Sequence, residues 1–334
     1  METVQEAKAV VLQYFKAFET APINGAAAVL KSFTGSGYGL RGVHPFNELQ
    51  GPQAVASALW DPLRRALTGL QRRQDIFMAA PNRLADGIWV TSMGKFMGLF
   101  DREWLGIPPT GKIALLPYCE FHRVAGGKIA ESAFFCDIIS VMVQAGLAPL
   151  PDQTGAAIIN PGPQTQDGLL LDAQDAGQSQ RTLDLIMRMC DDLVEKDGFQ
   201  SPNASLANTW HDDMLWWGPA GIGATYTISR YQLQHQEPFR AGLENIEFNG
   251  HVLEHAEGCY GGWFGWPNLI LNQGQGFMGL PASDRRTEMR VVDMYRREGD
   301  KLAENWIFID LLHYLKLLGV DVLTRTTGIS EGSN

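Results

Sequence analysis

Two stretches decide the architecture: FHRVAGGKIAESAFFCDIISVMVQAGL at 121–147 and YRREGDKLAENWIFIDLLHYLKLLGV at 295–320. Each passes from a β-like run through a glycine turn into a second β-like run, an aspartate and a short helix stopped by glycine. Shifting residues 106–146 by 173 lays them on 279–319 without a gap, and ten of the 41 positions are then identical. The matches include Gly106/Gly279, Pro108/Pro281, Arg123/Arg296, Glu131/Glu304, Phe135/Phe308 and Asp137/Asp310. Ordinary residue frequencies would give about two or three. Duplication is the better explanation.

The repeat extends towards each N-terminal side. His44-Pro45 faces Gly218-Pro219, and DPLRRAL (61–67) faces EPFRAGL (237–243) with a small insertion. Each half opens on an amphipathic helix, with Val4, Val11, Leu12, Phe15 and Phe18 on one face of the first. Leu183, Ile186, Met187, Cys190 and Leu193 repeat the pattern in the second. A turn, a short helical stretch (53–69; 225–243) and a run of β-like segments follow, predicting an α+β domain built on a long antiparallel sheet. Between the halves, 148–178 carries prolines at 149, 151, 161 and 163 and no aromatic residue. It reads as a linker. The expected organisation is a first domain at 1–147, a linker at 148–178, a second domain at 179–325 and a tail at 326–334.

Composition narrows the function. At 334 residues, 45% hydrophobic and 19% charged, the chain has the make-up of a globular protein. Its net charge of −10 argues against binding nucleic-acid backbones or anionic membranes. Cys119, Cys136, Cys190 and Cys259 form no regular framework, which fits a reducing, cytoplasmic setting. The N-terminal segment lacks the features of a signal peptide. No apolar run approaches the roughly 20 residues that span a bilayer. Neither a dinucleotide fingerprint, a Walker loop nor a G-x-S-x-G elbow is present.

The ends of both halves, together with DMLWWGPAGIG at 213–223, resemble SnoaL-like polyketide cyclase domains of the nuclear transport factor 2-like superfamily. The resemblance covers roughly 3–146 and 179–323. It implies two tandem cone-shaped domains, each a curved antiparallel β-sheet wrapped by helices around an apolar pocket. Single-domain members commonly pair through their sheets, so a tandem chain implies an intramolecular pseudo-dimer, with further homo-oligomerisation left open. The family's cyclases use an aspartate for an intramolecular aldol reaction without metal or nucleotide, so no cofactor is expected. The implied ligand is a small apolar or aromatic carbonyl compound.

Candidate residues follow from position. Asp310 and Asp137 end β-like runs where the family places an acid, although each also directly precedes a helix and fits an N-cap. Glu120 and His122 are two apart on a predicted strand and share one face, as do Asp293 and Tyr295 in the second half. An acid beside an imidazole or phenol suits proton transfer, and an outward face of satisfied polar groups is the competing reading. Tryptophans favour the second half, where Trp216, Trp217, Trp263 and Trp306 with Met214 are candidates to wall a pocket for a flat ligand. Core packing is the alternative. His251 and His255 have the i, i+4 spacing of a helical zinc site, but a hairpin strand would hold them about 13 Å apart, too far for one metal. His211, Asp212 and Asp213 fit either a pocket rim or a solvated helix end. The leading expectation is cofactor-free acid/base chemistry in the second domain: cyclisation, isomerisation or hydration. A non-catalytic binding module and a scaffold that associates through its sheets are the alternatives.

Overall fold

The computed structural model describes residues 2–195 and 206–325. The expected tail at 326–334 lies outside the described residues. The first domain begins with α1 (Val4–Thr20), whose N-terminus is fixed by a reciprocal pair: Glu6 N donates to Thr3 Oγ1, and Thr3 N donates to Glu6 Oε2. It buries Ala7, Val11, Tyr14, Phe15 and Phe18 against the sheet. After α2 (Ala26–Phe33), β1 (Thr34–Gly42) and β2 (Asn47–Gln50) come two short helices, α3 (Gly51–Val55) and α4 (Asp61–Ala66), joined by a π-helical turn at Ala56–Trp60. The meander β3 (Leu67–Pro81), β4 (Ile88–Phe100), β5 (Ile113–Ala125), β6 (Lys128–Cys136) then leads into α5 (Ile138–Gln144).

The second domain repeats the plan. It runs through α6 (Ala176–Glu195), α7 (Leu206–Thr209), β7 (Trp210–Trp217) and β8 (Thr225–Tyr226) to α8 (Ile228–Tyr231), a π-helical turn at Gln232–Gln236 and α9 (Glu237–Gly242). The sheet continues with β9 (Glu244–Phe248), β10 (Leu253–Glu257), β11 (Tyr260–Gln273), β12 (Ser283–Glu298) and β13 (Lys301–Ile309), and α10 (Leu311–Leu317) closes the domain. Both π turns immediately precede the D/E-P dipeptides that align in the sequence, so the duplication includes this irregularity. Where β3 is one long strand, its counterpart is broken at Asn249-Gly250 into β9 and β10.

Each domain is α+β, as expected, with one refinement. The sheet orders are β2-β1-β6-β5-β4-β3 and β10-β11-β12-β13-β7-β8, with β9 also on β11. The pairs β1·β6 and β7·β13 are parallel, so each sheet is mixed rather than wholly antiparallel. The meander strands are tied by tight turns, whereas β1 and β7 reach the last strand of their domain through long connections that impose no antiparallel constraint.

The two sheets meet back to back as an intramolecular pseudo-dimer. Phe264 of β11 packs on Phe121 at 4.8 Å and Trp89 at 5.7 Å between ring centroids, and Thr91 Oγ1 bonds His255 Nε2 at 2.8 Å. Both faces of β5 are therefore covered, which explains its unbroken burial from Leu116 to His122. The linker is held across this assembly. Its Gly168 O accepts from Phe77 N and its Leu170 N donates to Phe77 O, both at 2.8 Å, while Trp306 Nε1 donates to Pro161 O at 2.9 Å. Lys8 of α1 reaches Leu170 O and, at 2.6 Å, Glu257 Oε1 of β10, so one buried cation joins both domains and the linker. Among the described residues no helix is long and apolar enough to cross a membrane.

Candidate active site

Strand alternation aims one row of β12 into the second domain. Val291, Asp293 and Tyr295 face inward, while the alternate Val292 and Met294 lie buried on the opposite side. From β13 come Asn305, Ile307 and Ile309, from β7 Trp210 and Trp216, and from β11 Trp263. The π turn and its flanking helices roof the space with Tyr231, His235, Gln236 and Phe239, and α6 closes it with Met189, Cys190 and Leu193. The cavity measures about 140 Å³. An apolar cavity of about 150 Å³ accommodates benzene in another protein, so a single-ring ligand sets the scale.

Among the described residues Asp293 is the acid that lines this cavity. Burial raises its carboxyl to about 7, and the Asn305 amide and Tyr295 phenol that face it pull only partway back. Asn305 Nδ2 donates to Asp293 Oδ1 at 2.8 Å and to Met294 O at 3.0 Å, and these two acceptors fix which way the amide points. Tyr295 is pushed well above its ordinary value, first by burial and then by the Asp293 charge, so it stays a phenol. His235 is driven down to about 3 by burial and stays neutral. Its ring stacks on Trp216 at 4.1 Å, and among the described residues its buried Nδ1 has no hydrogen-bond partner. His251 stacks on Trp263 at 4.1 Å and bonds Glu254 Oε1 at 2.8 Å. The set is one titratable carboxyl, two neutral donors and aromatic walls. Such a set can move a proton at neutral pH and hold an oxygen that gains negative charge.

The matching centre of the first domain is filled. Glu120 and His122 do share an inward face, but the Arg72 guanidinium pairs with Glu120. That guanidinium lies 3.9 Å from the Phe15 ring centre and 4.6 Å from Phe96. His122 Nδ1 bonds Ser132 Oγ at 2.8 Å, and burial with the Arg72 charge lowers its pKa to about 3. Phe96, Tyr118, Phe134 and Trp60 pack over the same space. Arg72 occupies the place that Phe248 takes in the second domain, by the alignment of DPLRRAL with EPFRAGL.

Asp310 and Asp137 lie outside this cavity, at the contact between the domains, where Asp137 lines a separate cavity of about 240 Å³. Both are N-caps, Asp310 taking His313 N at 3.1 Å and Asp137 taking Ser140 N at 2.9 Å. Each also crosses to the other domain. Asp310 accepts His44 N at 2.9 Å and Asp137 accepts Ala220 N at 2.8 Å, in the two aligned proline turns. Arg290 Nη1 adds a contact to Asp310 at 3.2 Å. Burial raises both carboxyls, that of Asp137 to about 6, yet their oxygens are engaged in holding the domains together.

The candidate walls divide between the cavity and the core. Trp216 and Trp263 line the cavity, whereas the neighbouring Trp217 does not. Trp306 lies under the linker and Met214 is buried away from the lining. His251 faces the cavity while His255 bonds the first domain, so the pair serves two places. His211, Asp212 and Asp213 lie on β7 rather than at a helix end, and His211 Nε2 meets Glu298 O at 3.0 Å. Tyr231, His235, Gln236 and Asn305 escaped the sequence reading. The aligned segments held a signal, since His235-Gln236 stands where the first domain has Leu59-Trp60, polar residues against apolar ones.

Neither a protein-family model nor a curated protein matches the sequence. Solved structures do. A candidate SnoaL-like polyketide cyclase from Jannaschia sp. CCS1 is 20% identical, covers 43% of this chain and 94% of its own, with a TM-score of 0.34. AclR, a candidate hydroxylase from Streptomyces galilaeus, is 20% identical over 45% of this chain and 85% of its own, with a TM-score of 0.37. An NTF2-like protein from Burkholderia xenovorans LB400 is 13% identical over 42% of this chain and 97% of its own, with a TM-score of 0.33. Each is similar to less than half of this chain, whose two domains carry the α+β architecture in tandem.

Proposed function

We propose that the second domain performs acid/base chemistry on a small, single-ring carbonyl compound, with enolisation as the common step of cyclisation, isomerisation or hydration. The observation that carries this reading is Asp293, a buried carboxyl titrating at about 7 on the wall of an apolar cavity. As carboxylate it removes a proton from the carbon beside the carbonyl. The Tyr295 phenol and the Nδ1–H tautomer of His235 donate to the enolate oxygen, and the protonated Asp293 returns its proton to a second carbon or to oxygen. Trp216 and Trp263 hold the ring. No resident cofactor is required by this sequence of proton transfers. Asp310 and Asp137 act as domain fasteners in this reading.

The test is proton–deuterium exchange beside the carbonyl of small cyclic ketones, followed by NMR in heavy water near pH 7. Wild-type protein is expected to accelerate exchange, and Asp293→Asn to lose the acceleration while keeping its fold. Exchange by wild type no faster than by Asp293→Asn would overturn the assignment. Ketone binding with that outcome would instead identify a non-catalytic binding shell, the reading that the largely aromatic lining also supports.

A further inference from the structure

The first domain has a cavity of its own, above the filled centre rather than within it. It measures about 320 Å³ and is walled by Phe15, Phe18, Trp60 and Phe96. Among the described residues four arginines line it, Arg64, Arg65, Arg72 and Arg102, against one acid, Glu19. In a chain of net charge −10 this concentration of guanidinium groups is out of proportion. Two of the four are compensated nearby. Arg72 pairs with Glu120, and Arg64 feels the Asp61 carboxylate while donating to Ala21 O and Pro22 O. Arg65 and Arg102 are exposed, and among the described residues the Arg65 side chain donates only to Asn24 Oδ1, at 2.9 Å. Among the lining residues these two guanidinium groups face the single carboxylate of Glu19.

We propose that this mouth binds a small aromatic carboxylate. The volume falls at the lower end of the about 300–1,000 Å³ typical of ligand pockets and has room for one or two fused rings. The aromatic walls supply ring contacts, and the guanidinium forks of Arg65 and Arg102 match a carboxylate held at the rim. The aromatic walls, which inorganic phosphate cannot use, favour a ring-bearing carboxylate over phosphate. Glu19 on the same rim repels a second negative charge. The site is independent of the second-domain cavity and of the chemistry proposed there.

Isothermal titration of the full chain with 2-naphthoate tests this, with 2-naphthol as the neutral control and inorganic phosphate as the anion without a ring. Naphthoate is expected to bind at least tenfold more tightly than either control, more weakly as salt rises. The doubly substituted Arg65→Glu, Arg102→Glu protein changes only exposed side chains and is expected to lose at least tenfold in affinity for naphthoate. Naphthoate affinity unchanged in that variant, naphthol binding as tight as naphthoate, phosphate binding tightest, or no binding to wild type would each overturn the proposal.

Discussion

Asn305 gives its amide to Asp293 at 2.8 Å, while Ser132, its counterpart in the first domain, serves His122 instead. The difference follows from a single intruding cation. Arg72 neutralises Glu120, so the first domain closes around an ion pair and the second keeps a carboxyl that titrates near neutrality. One duplicated frame thus holds a packed centre and a hollow one.

That contrast predicts a pH-dependent stability difference. An acid whose pKa rises on folding binds its proton more tightly in the native state. Its contribution is complete below the ordinary Asp value near pH 4 and is lost as the pH climbs through about 7. Asp293→Asn removes the titration. Urea unfolding is expected to show the variant gaining on wild type by on the order of 4 kcal/mol between pH 4 and pH 8. A constant difference across that range would count against a raised Asp293.

Arg72→Met leaves Glu120 buried without its counter-charge, and a loss of about 3–5 kcal/mol is expected in chemical denaturation. Arg72→Met with Glu120→Leu removes both charges and is expected to recover most of it. Equal losses in the single and double variants would mean that packing, not the ion pair, sets the cost.

Lys8 and Glu257 make the corresponding bond between domains, both side chains almost wholly buried. Burial raises the Glu257 carboxyl despite the Lys8 ammonium, so the pair holds by geometry and by the Leu170 and Ala79 backbone partners. Lys8→Met is expected to destabilise by about 3–5 kcal/mol and to expose the linker at 168–172 to protease. Unchanged cleavage would show that the linker is held elsewhere.

Asp310→Ala removes a helix cap and a cross-domain bond together. A loss of about 1–3 kcal/mol is expected from the cap and the orphaned backbone donors, with ketone exchange retained once the protein is folded. Lost exchange in a folded Asp310→Ala protein would return the acid role to that residue.

Much of this was legible in the chain. The unbroken alignment of 106–146 with 279–319 gave the tandem plan, and glycine stops and capping residues marked the helix ends. Strand periodicity put Asp293 with Tyr295 and Glu120 with His122 on shared faces. Periodicity of two cannot say which face is inner, so Trp306 and Trp217 stood level with Trp216 until the register was seen. The aspartates before α5 and α10 carried two readings, and only the turns brought over from the opposite domain separate them. His235 and Gln236 depend on a π turn, for which hydrophobic periodicity has no signature. The parallel pairs β1·β6 and β7·β13 join strands far apart in sequence, beyond the reach of local pattern.

The central claim is that Asp293 keeps its proton to near neutral pH inside the second domain. Carbon-13 NMR of the aspartate carboxyls, comparing wild type with Asp293→Asn, measures it directly. A resonance with a midpoint near pH 7, absent from the variant, is the predicted result. If the resonance lost in the variant titrates near the ordinary value of about 4, the account of the cavity and its chemistry is contradicted.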